Sequence, residues 1–246
     1  MTAGADRWRS VVVAGATLLG VLLVGRLGLW QLDRAAEKQV LQATLQARGQ
    51  LPTLEARALP RSAEQAEPMQ YRRVRVQGRW LAETTVYLDN RQMNGKPGFF
   101  VLTPLKLPGE AGAVLVQRGW IPRHSQERTV LRDVNTPAGN VVVAGVIAPA
   151  PSRLFEFSQS GVGPIRQNLD MGAFAAEIGQ PLLPFSILQG DAPEVPGDGL
   201  LRDWPRPGID IHKNYGYALQ WFSLGALMTG LYVWFQHLRP RRDRKA

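Results

Sequence analysis

The chain has 246 residues and a formal net charge of +9, from 29 Lys and Arg against 20 Asp and Glu. That is room for one ordinary domain with accessories, not for a multidomain machine. A hydrophobic share of 45% excludes disorder throughout, and the absence of cysteine excludes a disulfide framework, a thiolate zinc site, an iron–sulfur cluster and a cysteine nucleophile.

Most of the excess charge sits at the ends. The stretch 33–213 holds 21 basic and 18 acidic residues, a net of +3. The remainder flanks two apolar segments, as Arg7, Arg9 and Arg26 and as Arg239, Arg241, Arg242, Arg244 and Lys245. A nucleic-acid footprint would be a basic patch or stripe on a folded domain, so no nucleic-acid partner is expected.

Residues 1–10 read as a cytoplasmic N-terminus and 11–32 as a first transmembrane helix. The apolar run Val11 to Gly25 is short by itself. Continued through Arg26 to Leu32 it gives about 33 Å of helix, enough to span. Arg26 falls near the far end, where its stem can run along the helix to the headgroups, and Trp30 falls at interface depth. A cleaved signal peptide is the competing reading. The chain after the run is RLGLWQ, without a small-x-small cleavage site, which favours an uncleaved anchor.

The exported region is read as 33–212, subdivided into a helix over 33–50, a loose connector over 51–70, a β-rich core over 71–189 and a second connector over 190–212. Residues 31–50 are strong helix formers without proline. From Tyr71, YRRVRVQGRW alternates and TTVYLDNR, GFFVLTPLKL, AVLVQRGWIPR and NVVVAGVIA follow, each closed by Gly, Pro or Asn, which predicts short strands. Such spacing predicts an antiparallel sheet or small barrel. DMGAFAAEI predicts one short helix with Asp170 as its N-cap.

A second transmembrane helix is expected over 213–237, followed by a basic cytoplasmic tail, 238–246. Its core, Tyr215 to Phe235, carries no formal charge and is about 31 Å long as a helix. Aromatic residues lie at both of its ends, as an interfacial belt requires. Cations precede the first span and follow the second, so the positive-inside bias puts both termini in the cytoplasm and the central domain in the periplasm. The fold class is therefore an α+β membrane protein, two transmembrane helices bracketing a β-rich exported domain, placed in the inner membrane. No long Arg- and Ser-rich presequence precedes the first span, which favours a bacterial protein.

No P-loop, G-x-S-x-G or G-x-G-x-x-G signature occurs, and the histidines His124, His212 and His237 lack HExxH spacing. The carboxylates Asp89, Asp133, Glu156 and Asp170 read as turn, cap or surface groups. Two clusters instead share one leaflet by topology. Gly28, Trp30, Gln31, Arg34 and Lys38 end the first span, while His212, Asn214, Tyr217, Gln220 and Trp221 begin the second. On a helix, Tyr217, Trp221, Leu224 and Met228 share a face, and Gly216, Gln220 and Ser223 form a small and polar face open to another helix. Two readings stand. In one the clusters are an ordinary aromatic belt with a snorkelling cation. In the other, aromatic rings cover a flat ligand, Arg34 and Lys38 meet its carboxylates and a histidine ligates iron.

The chain resembles the surfeit locus protein 1 family, the cytochrome c oxidase assembly factors, as a bacterial member. The resemblance rests on GLWQLDRAAEK, YRRVRVQGRW, LDNR with GFFVLTPL, VLVQRGWIPR with its Arg118-Gly119-Trp120, and GYALQWFSLGAL, in the family's order from about residue 25 to 235. It implies a non-enzymatic assembly protein with haem–copper oxidase subunit I and other assembly factors as partners. It also implies transient binding of haem a, with Trp30, Gln31, Arg34, Tyr217 and Trp221 at the pocket. Asn214 stands where the family typically has histidine. His212, two residues earlier, is then the provisional axial ligand if the chain there is still a loop. On a helix the two positions lie about 200° apart. The alternatives are a cofactor-free scaffold for an oxidase assembly intermediate and, last, a tethered exported hydrolase.

Overall fold

The computed structural model describes residues 2–109, 112–124, 127, 130–155, 163–190, 198–204 and 210–239, with side chains from residue 8 onward except that of His237. Glu156, the tail from 240, and the stretches 191–197 and 205–209 of the expected connector lie outside the described residues. The chain divides into two compact units, Met1–Ala43 with Arg206–Ala246, and Thr44–Pro205.

The first unit is built on two helices, α1 (Thr2–Gln50) and, labelled in chain order, α4 (Ile211–Val233), which ends in a π-helical turn over Trp234–Leu238. The expected span and the expected helix after it are one 49-residue helix. Nothing between Leu32 and Gln50 breaks the hydrogen-bond ladder, since no proline occurs there. Trp8–Gln50 and Ile211–Gln236 are each long and apolar enough to cross a membrane. The helices meet through small residues. A methyl group added at Gly20 would lie 2.3 Å from Met228 Cε, one at Gly225 3.2 Å from Val24 Cγ2, and one at Gly28 2.7 Å from the Phe222 ring. Close approach between spans needs such residues. The face of α4 turned to α1 therefore carries Ala218, Gly225 and Met228. Gly216, Gln220 and Ser223, expected to receive another helix, stay open, with Gln220 and Ser223 exposed.

The second unit is a mixed sheet. Its strands are β1 (Leu54–Glu55), β2 (Arg73–Trp80), β3 (Val86–Met93), β4 (Lys96–Lys106), β5 (Ala113–Pro122), β6 (Asn140–Ala148), β7 (Ile165–Arg166) and β8 (Leu182–Gln189). Two short helices accompany them, α2 (Ala63–Ala66) and α3 (Met171–Glu177). The order is β1-β2-β6-β8-β5-β4-β3-β7, and a two-pair contact of β2 with β4 folds one corner back. The five expected strands are all present. The expected antiparallel arrangement is corrected to a mixed one, because β1–β2, β3–β7 and β5–β8 are parallel. The small-barrel alternative is likewise replaced by a sheet.

LLPFSILQ, which becomes β8, carries Pro184 in its middle. Proline has no N–H for a ladder and is confined to edges and bulges. Here it falls at the register shift between the Ala113–Leu182 and Leu115–Ser186 pairs. By contrast Asn94 and Gly95, with φ of 52° and 74°, make the tight turn between β3 and β4, the residue pair such hairpins favour.

β5 is buried along all but its last residue, because the sheet is covered on both faces at this strand. One face packs Val74, Val76, Val116, Ile147, Phe185 and Ile187. The other packs Leu88, Leu102 and Leu115 against Leu169 and Phe174, the latter from α3. Asp170 caps α3, its Oδ1 accepting from the N–H groups of Gly172 and Ala173. These bonds, chiefly the one from Ala173, hold its carboxyl below the usual range. Residues 51–70 are not loose: they contain β1 and α2 and bury Leu54, Leu59 and Ala66 in the core.

Gly145 sets how closely β6 and β8 approach. A methyl group there would lie 2.1 Å from Leu188 O and 2.9 Å from Ile187 Cγ2. The first obstacle is backbone and cannot swing aside. Gly145→Ala is expected to cost about 2–3 kcal/mol, as overpacked sites do. A melting temperature equal to that of the parent chain would show that the strands separate freely.

A candidate ligand cleft between two helix ends

Within the helical unit a cleft of about 400 Å³ opens between α1 and the start of α4. α1 contributes Trp30, Gln31, Arg34, Glu37 and Lys38; Asp210 and the first turns of α4 contribute Lys213, Asn214 and Tyr217. The two sets follow helical periodicity, which puts residues three, four and seven apart on one face.

Asn214 ties the two helices together. Lys38 Nζ donates to its Oδ1 at 2.8 Å, and its Nδ2 donates to Gln31 Oε1 at 2.7 Å. Lysine can only donate, which fixes the amide oxygen toward Lys38 and leaves the NH₂ for Gln31. One amide thus spans two turns of α1. Gln39 Nε2 adds a bond to the Tyr215 hydroxyl at 3.1 Å.

The other charges of the cleft pair within their own segments. Arg34 Nη1 donates to Glu37 Oε2 at 2.8 Å, with both side chains more than half exposed, and the guanidinium carbon stands 6.0 Å from the centre of the Trp30 ring. Lys213 Nζ meets Asp210 Oδ2 at 3.0 Å. Exposed pairs of this kind contribute about 0–1 kcal/mol, so an incoming carboxylate can replace either acid at little cost. Arg34, Lys38 and Lys213 against Glu37 and Asp210 leave one net positive charge beside the rings of Trp30 and Tyr217. The arrangement suits a ligand with an apolar plane and an anionic edge.

His212 is not among the residues that line the cleft. The helix begins at Ile211, so His212 is helical, exposed, and about 200° around the axis from Asn214. Among the described residues no group of three or more His, Asp and Glu side chains could hold a metal.

In the sheet unit, Arg118, Gly119 and Trp120 hold the returning chain. Trp120 exchanges both backbone hydrogen bonds with Leu201, and its Nε1 donates to Arg91 O at 3.0 Å. A methyl group on Gly119 would lie 2.6 Å from Leu200 Cβ. Arg118 lies 4.9 Å from the Trp80 ring centre, donates to Thr136 Oγ1 and Asn135 O, and has Asp198 at 3.8 Å. Asp198 also pairs with Arg202, whose Nε donates to Arg118 O. Burial pushes the Arg118 guanidinium pKa down, with Asp198 opposing it.

A family model described as the SURF1 family matches residues 18–226. The chain belongs to the SURF1 family. It is 23% identical over 211 residues to a SURF1-like protein of Rickettsia felis, covering 84% of this chain and 89% of that one. To a SURF1-like protein of Drosophila melanogaster it is 25% identical over 233 residues, covering 87% and 74%. It is also similar to the cytochrome oxidase assembly protein SHY1 of Saccharomyces cerevisiae, 30% identical over 112 residues, 45% of this chain and 28% of that one.

In this SURF1-family chain the fold brings Trp30, Gln31, Arg34, Lys38, Asn214 and Tyr217 to one cleft. It leaves the half-buried Trp221, one turn beyond Tyr217, outside the lining, and it uses Gly28 for helix contact beneath Phe222. Among the acids, Asp89 pairs with Arg123, Asp170 is a cap and Asp133 is exposed. His124 accepts from the Glu127 N–H. The sequence reading missed Glu37, Asp210 and Lys213 in the cleft. The signal was present as acid–base pairs three residues apart, a spacing that places side chains together on a helix.

Proposed function

We propose that this chain is a membrane-anchored, non-enzymatic assembly factor for a haem–copper cytochrome oxidase, acting on subunit I with other assembly factors. Its family membership and its similarity to a yeast cytochrome oxidase assembly protein support the process. The cation flanks support a two-pass arrangement in the inner membrane, with both termini cytoplasmic and 33–212 periplasmic. The observation that carries the site is Asn214 joining the two motif-bearing helix ends across a cationic and aromatic cleft.

In this reading the cleft receives haem a by its periphery. Arg34 and Lys213 meet the carboxylates, Trp30 and Tyr217 cover the apolar plane, and Lys38 with Gln31 keeps the helix ends apart at a fixed distance. These residues fit the edge of the group. They supply no iron ligand, and His212 stands outside them. Haem a would bring iron chemistry to the oxidase, and this chain's part is to hold it by its edge.

The visible spectrum of the detergent-purified chain, made in cells that synthesise haem a, is expected to show a near one-to-one haem a band. His212→Ala is expected to leave that band unchanged; a shift would assign the iron to His212. The second reading, a cofactor-free scaffold, is favoured by the acids already paired with Arg34 and Lys213. It would be sustained by co-purification with subunit I without haem.

A further inference from the structure

The solvent face of β2 carries an arginine row that neither the cleft nor the core uses. Burial alternates strictly along the strand, placing Arg73, Arg75, Gln77 and Arg79 outward and Val74, Val76 and Trp80 inward. Residues two apart on one face are about 6.8 Å apart, so the cations recur at that spacing with one gap at Gln77. At the end of the row Arg79 is in register with Lys106 of β4, which is exposed. The acid in register with the row is Glu55 of β1, opposite Arg75.

Across the ladder, the same face of β6 presents Val146, Ala144, Val142 and Asn140 opposite Arg73, Arg75, Gln77 and Arg79 in turn. A line of cations therefore runs beside a shallow apolar strip, of which Val142 is exposed. Like charges this close repel, and the strand tolerates the cost without an acid opposite Arg73 or Arg79. Arginine is the residue suited to two-point contact with carboxylate or phosphate.

We propose that this face is a docking surface for an extended acidic peptide segment of another protein, with carboxylates six residues apart, the first and last of four alternate positions, facing Arg73 and Arg79. The spacing chooses this occupant. Alternate side chains of an extended peptide recur at the same distance as those of β2, and its small intervening groups lie over Ala144 and Val142. A single-stranded nucleic acid would need aromatic platforms for its bases, and this face of β2 and β6 has none. A bilayer surface would call for interfacial Trp or Tyr, and these are absent from it too. The proposal does not depend on haem binding.

The test uses the full chain in nanodiscs of uncharged phosphatidylcholine and a fluorescent peptide alternating Glu with Thr. Anisotropy is expected to report binding that weakens with salt and is lost when Gln replaces Glu in the peptide. Arg73→Ser with Arg79→Ser is expected to weaken it about tenfold, as loss of two exposed ion pairs allows. Arg73→Lys with Arg79→Lys keeps the charge and is expected to retain most of the binding, which separates loss of the surface from misfolding. Equal affinity in the serine variant overturns the proposal. So does arginine-dependent binding that favours phosphatidylglycerol vesicles or oligothymidylate over the peptide, since it would reassign the row to lipid or nucleic acid.

Discussion

Trp120→Ala is expected to cost about 3–5 kcal/mol, the range for emptying a buried aromatic site. The ring is 2% exposed and lies over Gly98, where an added methyl group would come within 2.4 Å of Cζ2. A site closed by a glycine backbone on one side has little means of collapsing, so the cavity persists. The variant also strips Arg91 O of its donor, and a buried acceptor left unpaired costs about 1–3 kcal/mol. Trp120→Phe keeps most of the volume and loses only the donor, so its loss should be the smaller. Thermal melting of the three chains in one detergent checks the order. If the alanine variant melts with the parent, Trp120 is not the anchor of the β5 region.

Reversing two charges in the cleft, Arg34→Glu with Lys213→Glu, is expected to lower haem a per chain by more than about tenfold. Charge-assisted hydrogen bonds contribute about 1.5–3 kcal/mol each, partly screened where exposed. Neither residue takes part in the bonds that join the helices, which run through Gln31, Lys38 and Asn214 and from Gln39 to Tyr215. Chain level should therefore hold while haem content and oxidase activity in membranes fall together. A normal level of both would remove the cleft from the mechanism. Loss of haem with full oxidase activity would favour the scaffold.

Of the candidate site, the residues whose chemistry is tied to local spacing were legible. Trp30, Gln31, Arg34 and Lys38 follow one helical face, and so do Asn214 and Tyr217, because a helix fixes which positions share a side. What spacing could not give was the partner of each. Asn214 stands two residues from the expected ligand His212, and only the packed helices reveal that its amide bridges Lys38 and Gln31. His212 depended on whether residue 212 lay in a loop. The helix starting at Ile211 places it away from the cleft. Arg118, Gly119 and Trp120 were visible as a motif, while their bonds to residues 198–202 were hidden in a segment that reads as a connector.

The sequence by itself determined the two apolar helices, five of the short strands of the sheet and the Asp170 cap. Each depends on a periodicity or on a side chain bonding to its own neighbourhood. The tertiary structure alone decided the mixed order of the sheet. β8 joins β5 in parallel after a long excursion, and its ladder tolerates Pro184 only because a bulge falls there. It also decided which face of α4 meets α1. Gly216 and Gly225 are equally small in the sequence, but only Gly225 stands opposite Val24. Pairings between residues far apart in the chain depend on which surfaces are buried together, and no local pattern encodes that choice.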